Sequence, residues 1–595
     1  MMEPHTQAFV MAGDTFLKDR ELSSAITCYH KALTYPLEKQ IAVKVLNNLG
    51  VAYKRQGSFE NAIAIFQKGI ETDASYPAFY SNLSVVYRLQ KRYQEALDIL
   101  IKTVSLHQQF HDYRTLVEFL GFLKKPQEAL SMAYEAQKRF PKEYEAHLVL
   151  GNLFASFKAY HQAIEPYLNA ISLAPEKTQA YNNLGVAYKE LGQNKESLEA
   201  YQKVLALNPK DSAVYNNLGN LLRNMGDLKG ALEHLKYSIA LNPDYADAYS
   251  NVGAVYKEAK EYQAAIPYYQ KALALKPEHT NANFDMALIE LTFGNYESGW
   301  KRYEHRLKMS ELIAKIHPYK TPMWRGESLL GKTLLLQNEQ GYGDNIMFIR
   351  YVSFFVAMGA KVIVRTRPEL VSLFAFVEGI DAVYSEEEAI PLHDYYLPLL
   401  SAPFYFKTTL ETIPKAFPYL HVKHQTVTLS LDKQRLNIGL VWSSSRTNKD
   451  FNNKYIGLFQ YKSLFEIPNT AWYSLQVGED ALEIEKEGLE DKIVDLSPHL
   501  IDFAATAQMI QKLDLVITMD TAVAHLCGAL HKEAWVLVPK PADWRWMQEG
   551  DRTPWYESLI LFRQVNKGDW SVPIEAVKTR LKSFSRNDKI GIIGA

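Results

Sequence analysis

Cysteine is almost absent from this sequence. The 595 residues contain two, Cys28 and Cys527, one in each half. Their separation fits neither a disulfide framework nor the spacing of metal ligands. We therefore expect a protein of a reducing compartment, and the class of small disulfide-stabilised secreted domains is excluded.

Long apolar runs and an excess of one charge are also missing. No run of about 18 apolar residues occurs, and the N-terminal segment MMEPHTQAFVMAGDTFLKDRELSS lacks the basic and apolar stretches of an export signal. We expect no membrane span, no export and a cytoplasmic location. Lys and Arg total 66 against 67 Asp and Glu, so no overall field favours nucleic acid or an anionic membrane as a partner.

The remaining composition is that of a folded globular chain. Hydrophobic residues make up 47% and charged residues 22%, which argues against a long disordered tail. The chain is too long for one hydrophobic core, so at least two regions are expected.

The first half contains a repeat of 34 residues. Glycines recur at this interval: Gly151, Gly185, Gly219 and Gly253. Prolines do so as well: Pro141, Pro175, Pro209, Pro243 and Pro277. A second series of small residues has the same spacing: Ala163, Ser197, Ala231 and Ala265. Apolar residues at helical spacing fill both halves of each unit, as in AYNNLGVAYKELG followed by ESLEAYQKVLALNP. Each unit is predicted to be two helices, with Gly or Asn ending the first and proline closing the second. The register slips near residues 107–126.

This pattern resembles tetratricopeptide repeats and covers about residues 8–307. The resemblance implies an α-solenoid, a right-handed superhelix whose helix pairs pack on their neighbours and leave a concave groove able to bind peptide.

A row of asparagines occupies one position of the first helix in several repeats: Asn48, Asn82, Asn183, Asn217 and Asn251. A carboxamide both donates and accepts, so such a row could hold a peptide main chain independently of its sequence. The row is similar to the asparagine ladder of nucleocytoplasmic O-GlcNAc transferases. The alternative is that these asparagines only pack between helices. Val149 and Asp285 interrupt and end the row.

The 34-residue pattern stops by Pro318, and a different fold follows it. The segment 308–330 reads as a linker, and from there short apolar runs alternate with helical patterns. KTLLLQNEQ, AKVIVRTRP, DAVYSE and DYYLPLLS form a first series, while LNIGLVWSS, AWYSLQVG, DLVITMD, EAWVLVPK and SLILFRQ form a second. Two Rossmann-like α/β halves are predicted, 331–425 and 426–585, with a ligand site at the carboxyl ends of their parallel strands.

Two strand-to-helix turns are candidates for that site. EQGYGDNIMF places Asp344 at a helix start behind two glycines, and LVITMDTAVAHLCGAL places Asp520 and Thr521 at a turn with His525 one helical turn later. Free amides at such a helix start suit a diphosphate. The alternative for both aspartates is helix capping, and for His525 a role in packing. Arg545, between two tryptophans, could contact phosphate or simply stack.

Together, the two motifs resemble the heptosyltransferase type of glycosyltransferase, which has the GT-B fold and pairs a GD turn with a D-[ST]-x-x-x-H turn. The resemblance covers about 330–575. It is closer still to bacterial proteins that join tetratricopeptide repeats to such a domain, as in WRGESLLGKTLLLQNEQGYGDNIMFIRY and DWRWM followed by PWYESLILFRQ.

The resemblance implies a role for each matching residue. Asp344 matches the general base, and the positions matching donor contacts are Ser443, Ser444, Arg446, Lys454, Gln476, Asp520, Thr521, Ala522 and His525. Lys454 or Arg446 would offset the charge of the leaving diphosphate. Gln476 stands where these enzymes carry an acid, and this departure leaves the sugar and base open. No metal ligand set is evident, and no cofactor is expected besides the nucleotide sugar as co-substrate.

The leading hypothesis is an inverting, metal-independent glycosyltransferase acting on Ser or Thr of a protein held by the repeats. Flagellin or another surface protein is a candidate acceptor by analogy. One alternative is a transferase for lipopolysaccharide or another glycan, and another is a repeat scaffold without catalytic activity.

Overall fold

The computed structural model of the protein describes residues 4–309, 319–422, 431–446 and 451–584. Part of the predicted linker, residues 310–318, and the predicted boundary at 425/426 lie outside these ranges. Two compact units are present, Met1–Pro243 and Asp244–Ala595, and each is described by itself. None of the helices in the described ranges combines the length and apolar character needed to cross a bilayer.

The first unit consists of successive antiparallel helix pairs. Its helices are α1 Pro4–Lys18, α2 Leu22–Ala32, α3 Lys39–Gln56, α4 Phe59–Thr72, α5 Pro77–Leu89, α6 Tyr93–His107, α7 Phe110–Phe122, α8 Pro126–Arg139, α9 Tyr144–Ser156, α10 Tyr160–Leu173, α11 Thr178–Glu190, α12 Asn194–Leu207, α13 Ser212–Asn224 and α14 Leu228–Leu241. The predicted helix-turn-helix repeat is confirmed. The prolines stand two residues beyond the second helix of a pair, as Pro175 does after Leu173.

The recurring glycine allows the two helices of a repeat to approach closely. A methyl group on Gly185 would lie 2.6 Å from the Tyr201 ring, and one on Gly151 would lie 2.5 Å from the Tyr167 ring. Both rings are fully buried. The 34-residue spacing of glycine therefore reflects a large side chain of the second helix packing directly on the backbone of the first, a tyrosine against Gly151 and Gly185 and Leu235 against Gly219.

The turn inside each repeat contains one left-handed residue. Gly192 and Gly226 have φ angles of 73° and 85°, but Lys91, Lys124 and Lys158 take the same conformation at 59°, 56° and 59°. The prediction that Gly or Asn ends every first helix is thus wrong for these repeats. A side chain in this conformation costs about 1–2 kcal/mol, which the packing of each repeat offsets.

The register slip near 107–126 has a local cause. Two residues, Gln108 and Gln109, connect α6 to α7, whereas the four residues Ala174–Lys177 connect α10 to α11. Gln108 is left-handed with φ 52°, which lets the chain reverse in the shorter connection.

The second unit begins with the last helices of the repeat pattern and continues into two parallel sheets. These helices are α15 Ala246–Glu258, α16 Tyr262–Leu275, α17 Thr280–Thr292 and α18 Tyr296–Tyr303, followed by a 3-10 turn at Glu304–Lys308. The division of the chain at Pro243 thus falls inside the predicted repeat range 8–307.

Both sheets of the second unit are parallel. The first has the order β3-β2-β1-β4, and the second has the order β10-β9-β8-β5-β6-β7. The strands are β1 Thr333–Gln337, β2 Lys361–Thr366, β3 Ile380–Ser385, β4 Tyr395–Pro398, β5 Leu436–Leu440, β6 Thr470–Ser474, β7 Ile493–Asp495, β8 Leu515–Met519, β9 Ala534–Val538 and β10 Leu559–Arg563. Nine of them were predicted; β7, a three-residue edge strand with two exposed positions, was missed because its apolar run is too short.

The connecting helices place the candidate turns at the carboxyl ends of the strands. They are α19 Tyr342–Phe348, α20 Val352–Ala357, α21 Pro368–Phe374, α22 Ala402–Tyr405, α23 Phe451–Lys454, α24 Glu483–Lys486, α25 Phe503–Lys512, α26 Ala522–Ala529 and α27 Ser571–Ser583. The predicted fold class, helical repeats followed by an α/β GT-B-like region, is confirmed.

One hydrophobic core joins α18 to the sheet region. Trp300 packs edge-on against Phe348 of α19 and against Trp544, with ring centroids 6.0 and 5.4 Å apart. The Trp555 indole N–H donates to the Tyr296 hydroxyl at 2.9 Å. Because these rings are buried together, the end of the repeat pattern forms part of the core beneath the candidate site.

Candidate active site

A cavity of about 880 Å³ lies at the carboxyl ends of both sheets. Its walls come from the turns after β1, β2, β5, β6 and β8, from the start of α25 and from the segment around Arg545. Every residue predicted for catalysis or donor binding lines it: Asp344, Ser443, Ser444, Arg446, Lys454, Gln476, Asp520, Thr521, Ala522 and His525. A volume in this range accommodates a ligand of drug size or larger.

Asp344 is the third residue of α19, so it is not the N-cap. Its Oδ2 accepts the backbone N–H of Gly341, the N-cap residue, at 3.0 Å. The other oxygen, Oδ1, accepts a hydrogen bond from the Arg545 guanidinium. The side chain therefore both caps the helix and presents an oxygen to the cavity.

The two predicted motifs touch directly. A methyl group built on Gly343 would lie 2.6 Å from Cδ2 of His525, so only glycine permits this approach. His525 is buried, its Nδ1 lies 2.9 Å from the Tyr556 hydroxyl, and its ring packs on Trp546. Burial, followed by the nearby Arg545 cation, lowers the pKa of His525 to about 3, which keeps the imidazole neutral at physiological pH.

Asp520 and Lys454 form a largely buried ion pair. Lys454 Nζ lies 2.6 Å from Asp520 Oδ2, and their side chains are 14% and 7% exposed. Burial works against both charges, but each ion stabilises the other: the pKa of Lys454 is raised and that of Asp520 is lowered. Lys454 thus carries a positive charge into the cavity although it is nearly enclosed.

The turn after β5 presents two hydroxyls. Ser443 Oγ donates to Asp480 Oδ2 at 2.5 Å and also contacts the Ser444 carbonyl. Ser444 Oγ is buried and has no hydrogen-bond partner among the described residues. A buried hydroxyl without a partner costs free energy, which a phosphate oxygen could recover.

Gln476 holds this turn in place. Its Oε1 accepts the backbone N–H groups of Trp442 and Ser443 at 3.2 and 3.0 Å, and its Nε2 donates to the Val477 carbonyl. Thr521 and Ala522, at the start of α26, line the same cavity. The donor contacts assigned to these residues stay predictions.

Asp480 is a cavity residue that sequence reasoning missed. It is buried and binds Arg446 through Nη2 at 2.5 Å and Nε at 3.1 Å in addition to Ser443. The available signal was an acid shortly after a predicted parallel strand, in the sequence SLQVGED. The resemblance implies an acid at the position of Gln476, and Asp480 lies four residues beyond it.

Acids outnumber cations in the cavity wall. The cations are Arg367, Arg446, Lys454 and Arg545; the acids are Asp344, Glu369, Glu479, Asp480, Asp502, Asp520 and Asp543. Three cations are paired with acids of the same wall: Arg446 with Asp480, Lys454 with Asp520, and Arg545 with both Asp344 and Asp543. An anion entering the cavity must therefore compete with these carboxylates.

No group of three or more His, Cys, Asp or Glu side chains within the described ranges is arranged to hold a metal ion. Independence from metal stays a prediction.

The asparagine row takes part in hydrogen bonds between repeats. In the first unit, Asn217 Nδ2 donates to Asn182 at 2.9 Å, and Asn183 Nδ2 donates to Asn152 at 2.7 Å. Equivalent bonds join Asn82 to Asn47 and Asn48 to Asp14. All four row residues of this unit are half-buried. Each side-chain amide therefore makes a hydrogen bond to the neighbouring repeat and keeps part of its surface exposed to solvent. Asn251 lies in the second unit.

Two regions of the chain match known families. Residues 38–287 match tetratricopeptide repeats, and residues 406–535 match glycosyltransferase family 9 (heptosyltransferase). The chain thus has tetratricopeptide repeats in its N-terminal part and a heptosyltransferase-like glycosyltransferase domain in its C-terminal part, as predicted. The second match includes the Asp520 turn, while Asp344 and Arg545 lie outside it.

Individual relatives cover parts of the chain. Protein FlbA of Caulobacter vibrioides is 27% identical over 335 residues, which are 51% of this chain and 55% of FlbA. The chain therefore spans about half the length of this curated relative. Among solved structures, MamA is 24% identical with a TM-score of 0.25, covering 27% of this chain and 95% of its own. A tetratricopeptide repeat protein from Parabacteroides merdae is 17% identical with a TM-score of 0.36, covering 42% and 98%.

Proposed function

We propose that this protein is an inverting, metal-independent glycosyltransferase. It transfers a sugar from a nucleotide-sugar donor to Ser or Thr hydroxyls of a protein acceptor held by the repeats, with flagellin or another surface protein as candidates. The observation that carries the proposal is the contact of Gly343 with His525, which brings the Asp344 turn and the Asp520 turn to one cavity.

In this mechanism Asp344 is the general base. Its Oδ1 takes the proton from the acceptor hydroxyl while that oxygen attacks the anomeric carbon from the face opposite the leaving diphosphate. The bond between the anomeric carbon and the phosphate oxygen breaks, and the electron pair leaves with the diphosphate. The configuration of the sugar inverts because one displacement occurs.

The developing charge on the diphosphate needs nearby cations and donors. Lys454 supplies a fixed positive charge, and the unpartnered Ser444 hydroxyl can donate to a phosphate oxygen. The neutral imidazole of His525 can act as a hydrogen-bond donor or acceptor, but not as a cation.

The repeats support a macromolecular acceptor, because a stack of helix pairs offers an extended surface that a small acceptor would not require. Lipopolysaccharide or another glycan as acceptor, and a scaffold without catalysis, are the competing functions that the experiment must separate.

The first step is a thermal-shift panel of nucleotide sugars followed by tryptophan fluorescence. All nine tryptophans lie at or after Trp300, so the signal reports the unit that contains the cavity. A donor at a hundred times its Kd stabilises the folded state by about 2.7 kcal/mol. The donor that raises the melting temperature is then supplied with a labelled sugar to cell extract and enzyme.

We expect the label in the polypeptide fraction, released by β-elimination from Ser or Thr. Label in the lipid or free-glycan fraction would instead support a transferase whose acceptor is lipopolysaccharide or another glycan. Absence of binding by every nucleotide sugar would support the scaffold.

A further inference from the structure

The Asp344 carboxylate has both oxygens engaged. Oδ2 accepts the Gly341 N–H, and Oδ1 accepts a hydrogen bond from Arg545 Nη2. A proton acceptor whose outward oxygen is bonded to a guanidinium is poorly placed to take a proton from a hydroxyl. Another anion must replace Asp344 as the partner of the guanidinium before Asp344 can act as a base.

Arg545 itself is held from several sides. Its guanidinium stacks on Trp544 with Cζ 4.3 Å from the ring centroid, and Nη1 donates to Asp543 Oδ1 at 2.6 Å. The side chain is 12% exposed and lines the same cavity as Lys454 and Ser444. Burial opposes its charge, but Asp344 and Asp543 raise its pKa, so Arg545 stays cationic.

A guanidinium has five N–H donors and binds phosphate as readily as carboxylate. A diphosphate in this cavity would therefore compete with Asp344 for the same group. Stacking on Trp544 and the Nη1 bond to Asp543 hold one face and one edge of the guanidinium, so that only Nη2 has to exchange Asp344 for a phosphate oxygen.

We propose that Arg545 couples donor binding to activation of Asp344, an inference that rests on the proposed function. Arg545 bonds Asp344 until the diphosphate of a nucleotide sugar accepts the guanidinium. Asp344 Oδ1 is then free to take the proton of the acceptor hydroxyl, and Arg545 stabilises the departing diphosphate. The base becomes active only when the donor is in place.

The test is a double-mutant cycle on binding, measured by isothermal titration calorimetry with the full-length chain. The probes are inorganic pyrophosphate and the diphosphates ADP, GDP, UDP, CDP and dTDP. Asp344→Asn keeps the size of the side chain and a carbonyl oxygen for the Gly341 N–H, but it removes the charge that competes for Arg545. This variant is expected to bind the best probe about three- to tenfold more tightly than wild type, the equivalent of one hydrogen bond.

Arg545→Gln is expected to bind about tenfold or more weakly, because a charge-assisted bond is lost. In the double variant, the tightening caused by Asp344→Asn should disappear, since no guanidinium remains to be released. Glu369→Gln is the matched control: it removes one negative charge from the cavity wall without touching the Arg545 pair, and it should change affinity less than twofold.

The outcomes are distinct. The coupling is overturned if Asp344→Asn binds the probe no more tightly than wild type. It is also overturned if Asp344→Asn raises affinity by the same factor in the Arg545→Gln background as in wild type, because the effect would then be a general change of charge. Wild type that binds none of the six probes overturns the donor site itself, and with it the proposed function. All variants must match wild type in circular dichroism at the temperature of the titration, and the conservative Arg545→Lys should recover part of the affinity lost in Arg545→Gln.

Discussion

Arg306, just after the last repeat helix, forms a bidentate ion pair with Glu339, the residue at the start of the turn that carries Asp344. Arg306 Nε and Nη2 lie 2.9 and 2.6 Å from the two Glu339 oxygens, and the side chains are 0% and 3% exposed. Ser401 Oγ and Glu304 complete the network around the guanidinium. The 3-10 turn that follows α18 thus holds the turn that presents the proposed base.

Removing one partner of this pair should destabilise the second unit. Arg306→Met leaves Glu339 buried without its cation, and we expect a loss of about 3–5 kcal/mol in the free energy of unfolding. Urea titration followed by tryptophan fluorescence measures it. Adding Glu339→Gln to Arg306→Met removes the unpaired charge and should recover part of the loss.

Lys308→Met is the matched control for this prediction. Lys308 pairs with Glu278 at the exposed surface of the same segment, so the urea midpoint should hardly change. Equal effects of Arg306→Met and Lys308→Met would mean that the buried pair contributes no more to the free energy of unfolding than the exposed pair does.

His525 should make stability depend on pH. Its folded pKa of about 3 is lower than the unfolded value, so the folded state binds fewer protons, and stability is lost as pH falls from about 6.5 towards 3. Between pH 6.5 and 5 the loss attributable to this residue is about 2 kcal/mol. His525→Gln should remove that slope in urea titrations, while the exposed His499→Gln should retain it. An unchanged slope in His525→Gln would show that this imidazole is not the group responsible.

The asparagine row makes a prediction about acceptor use. Replacing Asn183, Asn217 and Asn251 with Ala should reduce transfer to a protein acceptor by about ten- to a thousandfold if the lost bonds add, with donor affinity unchanged. Asn152→Ala is the control, because it removes the inter-repeat bond of Asn183 but leaves the row intact. Equal transfer by wild type and the folded triple variant would leave the row as packing between repeats.

Chelation of metal should leave transfer intact. Lys454, Arg545 and backbone amides are proposed to offset the diphosphate charge, so EDTA should change the rate less than about twofold. The decisive contrary result is loss of transfer that added magnesium or manganese restores.

Patterns with a fixed period were predictable from the sequence. The 34-residue interval between Gly151 and Gly185 reports local packing, because each glycine faces an aromatic residue 16 positions later in its own repeat. Strands such as β8, five buried residues between turn signals, are equally visible. The Asp344 and Asp520 turns were found because parallel strands present their carboxyl ends on one side.

Relationships between distant residues were not predictable. Asp344 and Arg545 are 201 positions apart, and Arg306 and Glu339 are 33 apart with no repeat relating them. Asp480 gave only a weak signal, since an acid after a strand is common in loops. Such pairs are set by three-dimensional packing, for which a single sequence carries no periodic signature.

The most direct test of the account is a single-turnover transfer assay with wild type and Asp344→Asn. The labelled nucleotide sugar that binds best is mixed with excess enzyme and the protein acceptor, and label on Ser or Thr is followed over time. We expect transfer to polypeptide by wild type and a rate at least about a hundredfold lower for Asp344→Asn, with donor bound at least as tightly. Transfer by folded Asp344→Asn at a rate near that of wild type would contradict the assignment of Asp344 as the base.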